Sequence, residues 1–414
     1  MHEAATAPAI DVDRIRSRFP ALAGETAFLE NAGGSQVPGV VVDAIAKYMV
    51  ESYVQLEAGY AASDRADAVV AGAHAFVERL MNGAGTGRVI LGPSTTQLLT
   101  MLARSYAGVL SAGDEIVVTE TAHEANLGPW LPLAERGILV RTWTMDPETL
   151  TCPLDRLEAL LGPRTKIVAL PHVSNLLGEI ADVAAIARLA HAAGARVVID
   201  GVAYAPHRAM DVAAWDVDWY VCSAYKVYGP HMAALYGRAD ALAELTGPNH
   251  FFIGKDEVPY KFELGGVCHE GCAGLLALEP YLQFLAGMGG ATAPAGRAAI
   301  ERAFAVMTAC ELPLQRRLID YLRQKPKVRL VGPAHAEEGR VGTISFVHGE
   351  KPSRDIAAAA HARQIGIRHG HMYAHRLCTA AGIEPEDGVV RASLVHYNTA
   401  AEIDRLIDVF ETVL

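Results

Sequence analysis

Two runs of buried-type residues each end in a group able to do chemistry. ARVVIDG (195–201) delivers Asp200 at the end of a β-branched run, and DWYVCSAYKVYGPH (218–231) delivers Ser223 and Lys226 just past another. A carboxylate at the edge of a buried strand is costly unless something pairs with it. Lysine is rarely buried, and one placed just beyond an apolar strand can be tuned into an amine nucleophile. A lysine that forms a Schiff base, with an acid to keep a pyridine nitrogen protonated, is the pairing pyridoxal phosphate (PLP) requires. Taken alone, a plain Asp–Lys ion pair is the simpler reading.

Three further segments shift that balance. GPSTTQLLTMLA sets Ser94, Thr95 and Thr96 directly before a helical pattern. Hydroxyls beside the free N–H groups of a helix start suit a phosphate, although a simple N-cap would look the same. TETAHEANLGPW puts His123 just after the strand-like EIVVTE, where an imidazole could lie flat on a pyridine ring. PHVSNLLGE puts Asn175 after TKIVALP, in reach of a phenolic oxygen or a substrate carboxylate. A satisfied polar histidine and a turn-forming asparagine are the plainer alternatives.

These groups must be positioned by alternating strands and helices. GRVILG (87–92), EIVVTE (115–120), GILVRTW (137–143), TKIVALP (165–171), ARVVID (195–200) and DWYVCSA (218–224) read as strands, with Ala/Leu-rich helices such as VAAIARLAHAAG (183–194) between them. That alternation predicts a mainly parallel sheet covered on both faces, with ligands at the carboxyl ends of its strands. A Gly/Ala/Pro-rich stretch at 285–297 precedes a long amphipathic helix over 298–323. Beyond it KVRLVGP, RVGTISFVHG and GVVRASLVHYN read as strands, and AAEIDRLIDVFETVL as a closing helix. The expected organisation is an N-terminal segment (1–20) packing on a small domain, a large α/β domain (21–290) and a small C-terminal α+β domain (291–414).

Composition narrows the function classes. The 414 residues are 51% hydrophobic and 20% charged, ordinary for a chain with a large core. A net charge of −11 without a Lys/Arg block disfavours nucleic acid and anionic membranes as partners. No run reaches the roughly 18 apolar residues of a membrane span, and the N-terminus shows no secretory pattern. Six cysteines are too few for a disulfide framework, so a reducing cytoplasm is expected. Cys268 and Cys272 lack a second ligand pair at zinc spacing, and no metal is expected.

In order, LENAGGSQVP, STTQLLTMLA, TAHEANLGPW, PHVSNLLGE, VVIDG, CSAYKVYGPH and VRASLVHYNTAAEIDRL resemble the class V aminotransferase family. Within it, the cysteine desulfurase/selenocysteine lyase-like group is the nearest in pattern, and the likeness runs from about residue 12 to 412. The resemblance implies a fold type I PLP enzyme with a mainly parallel seven-stranded sheet and a smaller α+β domain, working as a homodimer on an amino-acid substrate. It implies Lys226 as the Schiff-base lysine and later the base that moves the Cα proton, Asp200 on the pyridine nitrogen and His123 over the ring. Ser94, Thr95, Thr96 and Ser223 would hold the phosphate, with Asn175, Ala203 and Tyr225 around the ring. Arg391 would clamp the substrate carboxylate bidentately, which a guanidinium does better than an ammonium. Asn31 would lie on the substrate side.

Departures from the family pattern bear on the reaction. Ala203 stands where the family often has Gln, and Tyr225 where desulfurases usually have His before the lysine. Gly266 replaces a Thr that reaches the neighbouring subunit's phosphate. Desulfurases carry a nucleophilic Cys in the loop before the last strand; GIRHGHMYAHRLCTAAG places Tyr373 there, and a phenol cannot become a persulfide. Cys378, five residues on, falls in a helical pattern and is expected to pack. His369, His371 and Tyr373 are expected at the pocket mouth in substrate recognition or acid catalysis, a solvated polar loop being the alternative. A C–S β-lyase acting on a cysteine S-conjugate fits these departures best. Transamination, epimerisation, decarboxylation with oxidative deamination, a desulfurase using a non-standard thiol, and a non-catalytic sulfur-pathway accessory stay open.

Overall fold

The structure, a computed structural model, describes residues 10–288 and 292–414. The expected boundary at 290/291 and the first nine residues of the N-terminal segment lie outside the described residues. Seven strands form the large sheet: β2 (Gly87–Gly92), β3 (Glu115–Thr119), β4 (Leu139–Trp143), β5 (Thr165–Pro171), β6 (Arg196–Asp200), β7 (Trp219–Ser223) and β8 (Ala233–Arg238). They follow β1 (Ala27–Phe28), which pairs elsewhere. The order is β2-β8-β7-β6-β5-β3-β4, parallel except for β8, which runs antiparallel to both neighbours.

Both faces of this sheet are covered. Val168, Leu170, Val197 and Ile199 join one apolar cluster, while the intervening Ile167, Ala169 and Val198 join another. Side chains alternate across a pleated strand, so near-continuous apolar runs are what a sheet buried on both faces needs. The sequence expectation omitted β8. AALYGR follows β7 after a short turn and not after a helix, so the strand–helix alternation gives no cue. Gly237 also lies against the Trp219 ring, where a Cβ would come within 2.5 Å.

The smaller unit carries β9 (Val328–Val331), β10 (Thr343–His348), β11 (Ile365–Gly366), β12 (Arg368–Gly370) and β13 (Val389–Ser393). Its antiparallel sheet runs β12-β13-β10-β9, and β11 pairs with β1. The helix Gly296–Arg323 and the capping-boxed helix Ala400–Val413 pack against it. Residues 368–370, expected within a polar loop, are instead a strand paired with β13. None of the described helices is long and apolar enough to cross a membrane.

Candidate active site

The carboxyl ends of β5, β6 and β7 converge on one cavity. Asp200 closes β6 as a buried residue, and one of its oxygens accepts the Val202 backbone N–H at 3.0 Å. Burial raises its carboxyl pKa; the Val202 bond and the Lys226 charge oppose this. One short 3₁₀ turn after β7 presents Lys226, which has no carboxylate within ion-pair distance among the described residues. Burial, then the Arg391 charge, push its amine down to about 8, with Asp200 pulling the other way. A lysine so tuned is partly neutral near pH 8, the form that attacks a carbonyl.

The same cavity is lined by hydroxyls. Ser94 caps the helix Thr95–Tyr106 by accepting the Gln97 backbone N–H at 3.2 Å, and Thr95 Oγ1 lies 2.7 Å from Ser223 Oγ. Thr96 completes that edge. Hydroxyls grouped at a helix start favour an anion through both hydrogen bonds and the helix dipole.

His123 follows β3 and lines the cavity. Its Nδ1 accepts the Ala125 backbone N–H at 3.1 Å, which leaves the proton on Nε2. Burial, then the charges of Lys226 and Arg391, lower its pKa to about 4. The Tyr373 ring sits 5.2 Å away at 40°.

His172 and His396 are also buried and pushed down to about 3, chiefly by burial. A histidine depressed by folding takes up its proton more readily when unfolded. Its stabilisation is therefore complete above the unfolded pKa of about 6.5 and drains as pH falls below it. His191, raised by Asp218, and His74, raised by Glu263 against the effect of burial, have the opposite sign; below about 6.5 their contribution is already complete. The expected result is a thermal unfolding midpoint that drops steadily from pH 6.5 to 5. A flat midpoint across that window would contradict neutral, buried histidines.

Ser94, Thr95, Thr96, His123, Asn175, Asp200, Ala203, Ser223, Tyr225 and Lys226 all line this one cavity. Arg391 stands beside it, fully buried on β13, and donates to the Asn175 backbone oxygen at 3.1 Å. Other expected residues are not brought in. Asn31 is saturated by structural bonds: its amide donates to the backbone oxygens of Phe28 and Ser393 and to Asn398 Oδ1, and its oxygen accepts from the Tyr397 hydroxyl. Gly266 lines a separate surface cavity with Tyr53 and Glu263, away from Lys226 of its own chain. His369 is exposed and pairs with Val390, so strand alternation sends it to the face opposite Arg391. His371 spends its Nδ1 on the Tyr373 backbone N–H at 3.1 Å and does not line the cavity.

Tyr373 does not line the cavity either and is 62% exposed, but it meets the edge of the site at the His123 ring, on a strained loop. Met372 and Tyr373 have φ of 44° and 62°, a left-handed conformation that costs on the order of 1–3 kcal/mol per non-glycine residue. Site residues hold it: Asn175 Nδ2 donates to the Met372 oxygen at 2.8 Å, and the Glu124 N–H to the Tyr373 oxygen at 2.8 Å. None of the six cysteines lines the cavity. Cys378 is fully buried in an apolar cluster, its thiol pushed up to about 11 by burial.

Sequence reasoning missed Arg368 and Glu30, an ion pair at 2.9 Å whose Arg368 faces Arg391 across β12–β13. No local pattern marks either residue. Two buried polar atoms at the site, Asn175 Oδ1 and Arg391 Nε, have no hydrogen-bond partner. Such atoms are rare in folded proteins and point to a bound group that completes them. A cavity with a buried acid, a depressed lysine, a flat imidazole and a hydroxyl-lined helix start fits the charge distribution of PLP.

Comparison with known proteins agrees. A profile described as Aminotransferase class-V matches residues 27–406. The chain is 37% identical to the aminotransferase-like protein FGM3 of Gibberella zeae, covering 97% of this chain and 98% of that one. It is 32% identical to a cysteine desulfurase of Serratia proteamaculans, covering 96% of each. The crystal structure of the cysteine desulfurase CsdA from Escherichia coli superposes with a TM-score of 0.81 at 26% identity, covering 98% of both chains.

Proposed function

Because the chain belongs to the class V aminotransferase family of PLP-dependent enzymes, we propose that it acts at Cα and Cβ of a small L-amino acid bearing a leaving group on Cβ. Cysteine and its S-substituted relatives form the substrate class. The observation that carries this reading is the cavity itself, where Lys226, Asp200 and His123 meet beside Arg391 with no thiol among the lining residues.

In this reading Asp200 would hold the pyridine nitrogen, His123 the ring face, and Thr95, Thr96 and Ser223 the phosphate. The cofactor, once bound, supplies an electron sink for the pair left behind when Cα loses its proton. Lys226 is the group that takes that proton, its amine pKa near 8 suiting a base at neutral pH. Arg391 orients the substrate by its α-carboxylate, and burial of the guanidinium keeps that contact out of water. His123 is neutral at working pH and offers its Nε2 proton.

Two finer readings differ in who takes the sulfur. A β-lyase releases it with its substituent and leaves pyruvate and ammonia. A desulfurase transfers it to a thiol and leaves alanine. The relatives' names favour desulfurase-type chemistry over an S-conjugate lyase. Tyr373 at the loop and the packed Cys378 favour a reaction without an enzyme thiol.

A panel of L-cysteine and S-substituted cysteines, with products followed by mass spectrometry, separates these readings. Pyruvate with a free thiol supports the lyase. Alanine with a persulfide supports the desulfurase, and its survival in Cys378→Ala would place the acceptor outside that helix. No product from any sulfur amino acid would remove the substrate class proposed here.

A further inference from the structure

We propose that Ser35 is a positioning residue for Lys226, and that the segment 30–36 is a strap fixing Lys226 against Arg391. The strap depends on no substrate; only the proton-exchange arm of its test rests on the amino-acid reading above.

Lys226 and Arg391 stand on different sheets. Lys226 follows β7 of the large sheet, and Arg391 lies within β13 of the small one. In the reading above, a substrate held by Arg391 gives its Cα proton to Lys226, so the two groups must keep a set separation. A misplacement of about 1 Å can cost ~10²-fold in rate.

The segment 30–36 is bonded at both places. One end is pinned to Ser393, the last residue of β13. Ser393 Oγ accepts the Ala32 N–H at 2.8 Å, its carbonyl oxygen accepts the Asn31 amide at 2.8 Å, and its own N–H donates to the Leu29 oxygen at 2.7 Å. The other end brackets the lysine turn. Ser35 Oγ donates to the Tyr225 oxygen at 3.2 Å and accepts the Tyr228 N–H at 2.9 Å. One hydroxyl thus closes the chain on both sides of Lys226. The Ser35 N–H adds a second bond to the Tyr225 oxygen at 3.2 Å.

This turn requires outside closure. Tyr228 is a non-glycine residue at φ 62°, a left-handed conformation that persists only where its surroundings enforce it. Its hydroxyl donates to the Pro206 oxygen at 2.8 Å, and so accepts from His396 Nδ1 at 3.1 Å. His396 lies just past β13, so two ties run from the end of that strand to the turn carrying Lys226. The Ser35 tie is made by a half-buried hydroxyl and can be cut without opening the core.

The electrostatics follow the same geometry. Burial and the charges of Arg391 and Arg368 lower the Lys226 pKa more than Asp200 and Glu30 raise it. A turn released from the strap relaxes the burial and the Arg391 contact together, and the amine moves back towards the ordinary lysine value.

The test compares Ser35→Ala, Ser35→Thr and Ser393→Ala with the parent protein. In the apo-protein, Lys226 is acetylated with acetic anhydride across about pH 6–11 and its peptide is quantified by mass spectrometry. The labelling midpoint, near 8 in the parent, should rise in Ser35→Ala and Ser393→Ala and return in Ser35→Thr, which keeps the hydroxyl. In the PLP-loaded protein, exchange of the L-alanine Cα proton in deuterium oxide should slow by roughly 10- to 100-fold in Ser35→Ala. The L-alanine concentration that half-saturates the cofactor spectrum should stay within about twofold, since Arg391 is untouched. Asp182→Ala removes the N-cap of the helix Val183–Ala192, outside the strap, and should change neither the midpoint nor the exchange rate. An unchanged midpoint in Ser35→Ala, an equal shift in Asp182→Ala, or failure of Ser35→Thr to restore the midpoint overturns the proposal. A parent protein that exchanges neither L-alanine nor L-cysteine overturns the amino-acid reading, while the labelling midpoints still decide the strap.

Discussion

Lys226→Ala is expected to fold, to bind PLP without covalent attachment, and to lose the visible absorption of a lysine-linked cofactor. Turnover should fall by at least ~10²–10⁴, the usual contribution of a positioned base, since in the proposed reading the same side chain would both anchor the cofactor and move the Cα proton. The structure gives two reasons for so large an effect. The amine lacks an ion-pair partner among the described residues, so no salt bridge is lost with it, only its 5.9 Å approach to the Tyr225 ring. Its pKa, held near 8 by burial and Arg391, is tuned for reaction more than for stability. Absorption and reduction with borohydride followed by mass spectrometry check the linkage. A variant that keeps the covalent adduct would show that another amine carries the cofactor.

Asp200→Asn should give the second largest loss, with a different signature. The amide fills the same space and can still accept the Val202 N–H, so the cavity is preserved. What goes, in the proposed reading, is the negative charge that would keep the ring nitrogen protonated. Removing one preorganised charge from a desolvated site costs on the order of 10²–10³ in rate. The lysine linkage should remain, so the visible band persists while turnover falls. In the apo-protein the Lys226 pKa should drop below its present value, because Asp200 is the larger of the two carboxylate influences, with Glu30, that raise it. A variant with unchanged turnover would show that the acid is structural.

Legibility in the sequence followed how local the signal was. β5, β6 and β7 were readable because continuous apolar runs of three to five residues can be buried on both faces. The residues just beyond them were readable as chemistry because the carboxyl edge of a parallel sheet collects ligands. Thr95 and Ser223 were each expected at a phosphate, and the fold puts their hydroxyls 2.7 Å apart although 128 residues separate them. Asn31 was misplaced because its motif speaks of type and order. Saturation of its amide by Ser393, Asn398 and Tyr397 depends on a partner segment more than 360 residues away. His369 failed for a smaller reason. A three-residue strand has no periodicity to read, and alternation by one position moves a side chain to the other face.

The sequence by itself determined the doubly covered sheet and which residue types stand at its strand ends, because burial periodicity and residue chemistry are properties of short stretches. Only the tertiary structure decided the register of β12 against β13, which sets Arg368 beside Arg391, and the strained loop that lays Tyr373 on His123. Those placements are relations between segments far apart in the chain. They are fixed by pairing and packing, which no local pattern encodes.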